Sequence, residues 1–464
     1  IDARSDAHIW AQHFDMEVSN IFDIESQVAE TIVSQLKSKI SPEEKAAIEA
    51  RSTEDWEAHQ LFVRSKDVLA ASVYTRGREN REQAIRLLEQ AVGRDPSYFL
   101  AFCQLARVHS ELYLLGMDHT PRRLALADEA LHKAAALKPD GGETHLAAGI
   151  RAYCSLDYHK ARSELDLALQ RLPNQPLIFE FRGFLNRRQS RWAEASEDLK
   201  SALDLDPLNF YFLQQVSQSD EKLRRFDDMA EMMRRALALA PHDPGARMHL
   251  ACAPFYSRAD TKPLRETLDS IITEDPQMAS SVAVDCVHLG LCERDFVAAN
   301  RAVGLIGEDG GTEESFSFPR SWYAGLVARS GGDTEAARKA FTQARLEMAN
   351  ILKDQPDYPE ALSVIGLIDA GLGDAEHARA EASRAVELLP VGRDAINGAL
   401  AIQYLAIALA WVGEKDESLQ DLALVAKIPS DVNYGQLKLH PFWDPLRGDP
   451  RFEAIVASLQ PKKP

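Results

Sequence analysis

At 464 residues the chain is about two to four times an ordinary domain, so it is either several domains or one extended repeat array. Its 45% hydrophobic and 27% charged residues are the balance of a folded protein and exclude an intrinsically disordered one. The formal charge of −18 repels phosphate backbones and anionic lipid, so neither nucleic acid nor a membrane surface is an expected partner.

The chain starts at Ile1 without a methionine, and its first residues show neither a basic segment nor an apolar signal core, so a missing upstream part is expected. His8 to Phe14 have the aromatic and β-branched content of a strand, after which Ile21, Ile24, Val28, Ile32, Val33 and Leu36 line one helical face. Ser41-Pro42-Glu43-Glu44 reads as a capping box with proline at the first helical position, which opens a short connecting helix.

From there proline punctuates the chain. Pro139, Pro173, Pro207, Pro241 and Pro276 stand 34, 34, 34 and 35 residues apart, and Pro356 to Pro390 is again 34. A fixed period of this size announces stacked supersecondary elements. Gly149, Ala161 and Ala168 precede Pro173 at the distances at which Gly183, Ala195 and Ala202 precede Pro207, and Gly366, Ala378 and Ala385 precede Pro390. Ala84 and Ala91 stand likewise before Pro96. Such small residues mark places where two helices cross so closely that only Gly or Ala fits. Ala161, Leu165, Ala168, Leu169 and Leu172 supply the helical apolar spacing, so the repeated element is a two-helix hairpin closed by a proline-bearing turn.

The period is interrupted in readable places. Ala71 to Asn80 lengthen one turn, Gly116 to Arg122 are inserted in the next hairpin, Gly307 to Thr312 form a glycine-rich break, and the helix after Asp333 runs on to Lys353. Pro254 and Pro263 make the sixth hairpin degenerate, and local irregularity is expected there. Ala399 to Gly413 is the longest apolar stretch; interrupted by Gln403, it falls short of the roughly 20 residues a membrane span needs. Five cysteines without a C-x-x-C pair read as free thiols, with an extracytoplasmic compartment left open. At the end of the chain Phe442, Trp443 and Phe452 read as a cap over the apolar end of the last hairpin.

The period and its Gly/Ala/Ala/Pro signature resemble the tetratricopeptide repeat (TPR), over about Glu54 to Pro429, with room for ten hairpins. The resemblance implies an all-α solenoid, a right-handed superhelix over residues 46–430. Residues 1–45, with Asp2 to Trp10 and Ile21-Phe22-Asp23-Ile24, resemble the C-terminal part of a TolB-like α/β domain, and the capping segment 431–464 resembles the closing segment of the same bacterial proteins. In that group such arrays belong to cyclases, kinases and winged-helix regulators. The implied role is the regulatory or sensing region of a signalling protein such as an adenylate cyclase, with a winged-helix regulator or kinase as alternatives. The compartment is cytoplasmic, or periplasmic if a membrane span precedes the fragment.

No catalytic constellation assembles in the sequence: it has no phosphate-binding glycine loop, no G-x-S-x-G elbow and no H-E-x-x-H pair. His242 and His249 lie seven apart, and acidic pairs such as Asp227-Asp228 diverge on a helix, so no catalytic residue, cofactor or metal is expected. The enzyme alternative is a site near the degenerate sixth and seventh hairpins, where Pro254 and Pro263 lie near His249, Cys252 and Cys286. What a helical-repeat array offers is a concave groove for a protein or peptide. Carried onto this chain, the family's groove positions include Tyr153, Phe184, Arg187, Arg188, Tyr211, Gln214, Gln218, Phe255 and Tyr256. Arg182, Arg187, Arg188 and Arg191 make a locally basic spot suited to a carboxylate. Self-association through exposed helix faces is opposed only weakly by the net charge.

Overall fold

The computed structural model describes residues 52–70 and 77–461, together with Val28 and Thr31. The strand and helix expected before residue 45 lie outside the described residues, as does most of the lengthened turn after Ala70. The described chain divides into two compact units. The first holds residues 52–70, 78–113 and 118–181, and the second holds 182–461 with the short stretches 77 and 114–117.

Each period is a helix pair. In chain order the first are α1 (Trp56–Ala70) with α2 (Gly77–Arg94), α3 (Phe99–Leu114) with α4 (Pro121–Leu137), and α5 (Gly142–Cys154) with α6 (Tyr158–Arg171). Then come α7 (Pro176–Arg188) with α8 (Trp192–Leu205), α9 (Phe210–Lys222) with α10 (Phe226–Leu239), and α11 (Pro244–Arg258) with α12 (Lys262–Glu274). After a 3-10 turn, α13 (Ala283–Cys292) pairs with α14 (Phe296–Val303), α15 (Arg320–Ser330) with α16 (Thr334–Asp354), α17 (Pro359–Leu372) with α18 (Ala375–Leu388), and α19 (Asn397–Val412) with α20 (Lys415–Lys427). The chain closes with α21 (Tyr434–Leu439), a 3-10 turn over Pro441–Leu446, and α22 (Pro450–Ser458). Within the second unit the second helix of a hairpin packs on the first helix of the next, as in α10 on α11 and α16 on α17. The fold is the all-α solenoid of tetratricopeptide type that the period implies.

The crossings are as close as the small residues require. Ala161, Ala168, Ala195, Ala202, Ala378 and Ala385 have no exposed surface. A Cβ on Gly366 would stand 2.9 Å from both the methyl carbon and the amide nitrogen of Ala382. The turn inside each hairpin repeats in the backbone too. Leu156, Ser190, Arg224, Ala259 and Arg294 have φ between 57° and 61°, and Gly332, Gly373 and Gly413 take the same place with φ of 82° to 93°. This left-handed conformation is natural for glycine and costs about 1–2 kcal/mol for a residue with a Cβ. Where an aspartate follows, it caps the second helix: Asp157, Asp295, Asp333 and Asp374 accept the amides of Lys160, Ala298, Ala336 and His377 at 2.9 to 3.2 Å.

The sixth hairpin is more regular than its prolines suggest. Pro254 sits near the end of α11, where it withholds one N–H, the one that would reach the Leu250 carbonyl, and the helix still runs to Arg258. Pro263 lies in the first turn of α12, where its fixed φ suits the helix. The glycine-rich break opens instead into an antiparallel ribbon, β1 (Gly311–Glu313) with β2 (Phe316–Phe318), turned by Glu314 and Ser315. Phe316 and Phe318 are buried, with their rings edge-on to Tyr404 at 5.2 and 5.6 Å. They join a core in which Trp322 stacks on Trp411 at 6.0 Å beside Phe341. Trp443 packs on Phe452, and the Trp411 indole N–H donates to the Phe442 carbonyl at 3.1 Å, so the closing aromatics lie against α19.

Candidate functional site

The groove positions named from the sequence fall in four helices. Tyr153, in the first unit, is buried on α5 with its ring edge-on to Phe181 at 5.7 Å. In the second unit Phe184, Arg187 and Arg188 end α7; Tyr211, Gln214 and Gln218 are on α9; Phe255 and Tyr256 are on α11. Five of the nine, Tyr153, Phe184, Arg187, Arg188 and Gln214, are buried. The Arg187 guanidinium lies over the Phe184 ring at 4.6 Å and donates to Gln215 Oε1 at 2.9 Å. Arg188 pairs with Asp394, which is fully buried. Gln214 is also fully buried, and neither end of its amide has a hydrogen-bond partner among the described residues. Tyr211, Gln218, Phe255 and Tyr256 are half-buried.

A second set of residues, which sequence reasoning mostly passed over, ties the ends of α7, α9 and α13 to later parts of the chain. The Arg188 carbonyl accepts the Ala395 amide at 2.8 Å, and the Lys222 carbonyl accepts the Ser430 amide at 3.1 Å. Both are last-turn carbonyls that a helix cannot satisfy itself. The Lys222 ammonium reaches Glu314, at the tip of the β-ribbon, at 2.6 Å, and also pairs with Asp431. Burial would depress this lysine, but Asp431, Glu314 and Glu221 outweigh it and hold its pKa above the usual value, so the ammonium stays charged.

The two arginines at left-handed turns act alike. Arg224 donates to the carbonyls of Val432, Ile428 and Val425 at 2.8, 3.0 and 3.1 Å, and to Ser430 Oγ at 2.8 Å. Arg294 makes a forked pair with Asp444, both bonds 2.7 Å. Between them Gly435 lies against the Phe255 carbonyl with no room for a side chain. A signal for these residues does exist in the sequence: arginine at the turn position where the later hairpins carry glycine.

Next to this seam the hydrogen-bond directions can be read along a chain of side chains. The Phe442 amide donates to His440 Nδ1 at 3.2 Å, so His440 Nε2 carries the proton and donates to His288 Nδ1 at 3.1 Å. His288 Nε2 then donates to Glu313 Oε1 at 3.1 Å, and the Tyr404 hydroxyl donates to Glu313 Oε2 at 3.0 Å. Burial above all, with the charges of Arg294 and Arg447, holds His440 well below the usual histidine range, in keeping with its neutral role.

Of the residues of the enzyme alternative, Cys252 and Cys286 share one apolar cluster. His249 is engaged by Glu221 at 2.7 Å, and burial pushes the Cys252 thiol upward and the Cys286 thiol up to about 11, away from the thiolate that a nucleophile requires. Among the described residues, no group of three or more His, Cys, Asp or Glu side chains is placed to hold a metal ion, and no helix is long and apolar enough to cross a membrane.

No family model matches the chain. A curated protein of Rhizobium meliloti (strain 1021), named "Putative adenylate cyclase 3", is 28% identical over 143 residues; the match spans 28% of this chain and 22% of that protein. Among solved structures, a thermophilic TPR protein of Thermus thermophilus aligns at 19% identity with a TM-score of 0.35, covering 42% of this chain and 98% of its own. The human IFIT1 dimer with m7Gppp-AAAA aligns at 15% identity with a TM-score of 0.43, covering 79% of this chain and 76% of its own. Pseudomonas aeruginosa pilF aligns at 17% identity with a TM-score of 0.29, covering 58% of this chain and 96% of its own.

Proposed function

We propose that this chain is a non-catalytic scaffold that holds a protein or peptide partner, and that it serves as the regulatory region of a bacterial signalling protein such as an adenylate cyclase. The observation that carries the scaffold reading is the set of side chains at the end of α7 and along α9. There Tyr211 and Gln218 remain half-exposed beside an Arg187–Gln215 pair that is already fixed in place. Rigid aromatic area next to oriented amide and guanidinium donors suits recognition of a peptide main chain. The signalling reading draws on the residues resembling TolB-like and closing segments, and on the partial match to the cyclase-named protein.

The test is calorimetric titration of a candidate partner, beginning with a bacterial adenylate cyclase catalytic domain, into the wild-type chain and into a Tyr211→Ala/Gln218→Ala variant whose helicity is checked by circular dichroism. A loss of at least tenfold in affinity is expected. Unchanged affinity would move the contact elsewhere.

A further inference from the structure

We infer that the ends of α9, α11 and α13 form a recognition surface for a peptide that turns out of a helix C-terminus and in which a small hydroxyl residue is followed by a carboxylate. Ser430-Asp431-Val432 of the chain itself is its resident occupant. This rests on the scaffold reading and deepens it by naming the ligand's chemistry and a second place where it binds.

The contacts have the form of peptide recognition. The later segment, the last turn of α20 and the bends that follow it, is held mainly through its backbone: Arg224 takes the carbonyls of Val425, Ile428 and Val432, and the Lys222 carbonyl takes the Ser430 amide. Only two side chains are read, Ser430 by Arg224 and Asp431 by Lys222. Contacts to main chain can be reproduced by any peptide that leaves a helix end in the same way, while the serine and the aspartate set the register. The segment follows the hairpins in order, with 428–432 at α9, Gly435 at α11, and Leu439 and Asp444 at the turn after α13.

The receptor side is built for this at a cost. Arg224 and Arg294 occupy left-handed turns where glycine would be unstrained, and Glu314 at the ribbon tip has φ of 54°. All three side chains are committed to this seam: Arg224 and Arg294 grip the segment, and Glu314 orients Lys222. Ion pairs removed from water gain little net free energy over equivalent partners, so an incoming segment with the same groups can replace the resident one without large loss. The resident segment has the advantage of its tether, worth an effective concentration on the order of millimolar.

The experiment is fluorescence anisotropy of a labelled peptide with the sequence of residues 425–436, titrated with the full chain and two variants. In Asp431→Ala the tethered occupant is weakened and the receptor is intact, so the peptide should bind at least tenfold more tightly than to wild type. In Arg224→Ala the receptor is lost and binding should fall below that to wild type. These opposite signs separate a ligand-like segment from a merely structural seam, in which both substitutions would act alike. Equal binding to the two folded variants, or none to folded Asp431→Ala, overturns the proposal. Should Asp431→Ala not fold, hydrogen exchange on the wild-type chain decides: peptide at about 1 mM, matching the tether, should speed exchange at 430–432 while α9 stays protected, and unchanged exchange overturns the proposal. Neither outcome bears on the Tyr211/Gln218 titration, so the two readings fail separately.

Discussion

Arg188, the last residue of α7, and Asp394, 206 positions later, form an ion pair in which the aspartate has no exposed surface. Asp394 also accepts the amides of Ile396 and Asn397 at 3.0 and 3.1 Å, so one carboxylate both neutralises the arginine and fixes the turn that opens α19. Removing one partner of a buried pair strands the other charge. Asp394→Ala should therefore cost about 3–5 kcal/mol, read from urea unfolding of the full chain. The double variant Arg188→Met/Asp394→Leu should cost clearly less, because it leaves no buried charge. A double variant as unstable as the single one would assign the loss to the turn and not to the charge.

Next to that pair lies a carboxyl group that titrates near neutrality. Burial, with the nearby Asp394 charge, pushes Glu360 up to about 7, while Ser315 and Asn397 both donate to its Oε1 at 3.2 Å. Between the ordinary value of 4.5 and about 7 the folded chain holds a proton that the unfolded chain has released. Stability must then fall as pH rises through that window and level off above it. The full effect is at most about 3 kcal/mol. Glu360→Gln keeps the acceptor and loses the titration, so its stability relative to wild type should increase from pH 5 to pH 8. Other raised carboxyls, such as Asp285 at about 6, contribute to both curves and cancel in the difference. Parallel pH profiles for variant and wild type would refute the assignment.

Two helix-crossing glycines should respond differently to the same methyl group. At Gly366 the added carbon meets backbone, the Ala382 amide at 2.9 Å and the Ala378 carbonyl at 3.1 Å, which cannot move without shifting α18. At Gly183 it meets the buried Leu199 side chain, Cγ at 2.7 Å and Cδ2 at 3.0 Å, with backbone no nearer than the Ala195 carbonyl at 3.3 Å. Alanine gains about 1 kcal/mol of helix propensity at either site, and overpacking costs about 1–3 kcal/mol where neighbours are fixed. Both substitutions should lower the melting temperature, Gly366→Ala more than Gly183→Ala because its neighbours are backbone, as thermal denaturation by circular dichroism can show.

The hairpin turns give a second paired comparison. Ser190 is exposed in the left-handed conformation and no hydrogen bond of its side chain is seen among the described residues, so Ser190→Gly should stabilise by about 1 kcal/mol. Arg224→Gly relieves the same strain and forfeits four hydrogen bonds to the later segment, so it should destabilise. Urea midpoints of the two variants should move in opposite directions, and a shared stabilisation would show that the Arg224 contacts contribute nothing.

What could be read without coordinates was local. The 34-residue spacing of prolines and the Gly/Ala/Ala triplets such as Gly366, Ala378 and Ala385 follow from constraints within one hairpin: a turn of fixed chemistry and a crossing that admits no larger side chain. They determined the all-α class and placed the helices, including the long α16. Even there tertiary packing made the detail, since the glycine-rich break became a ribbon because Phe316 and Phe318 find Tyr404. The seam was beyond reach for a different reason. Arg188 meets Asp394, Arg224 meets Val432, and His288 meets His440 across separations of 206, 208 and 152 residues, and periodicity says nothing about partners that far apart. Their pairing depends on how successive hairpins of the second unit pack on one another, which only the folded chain fixes.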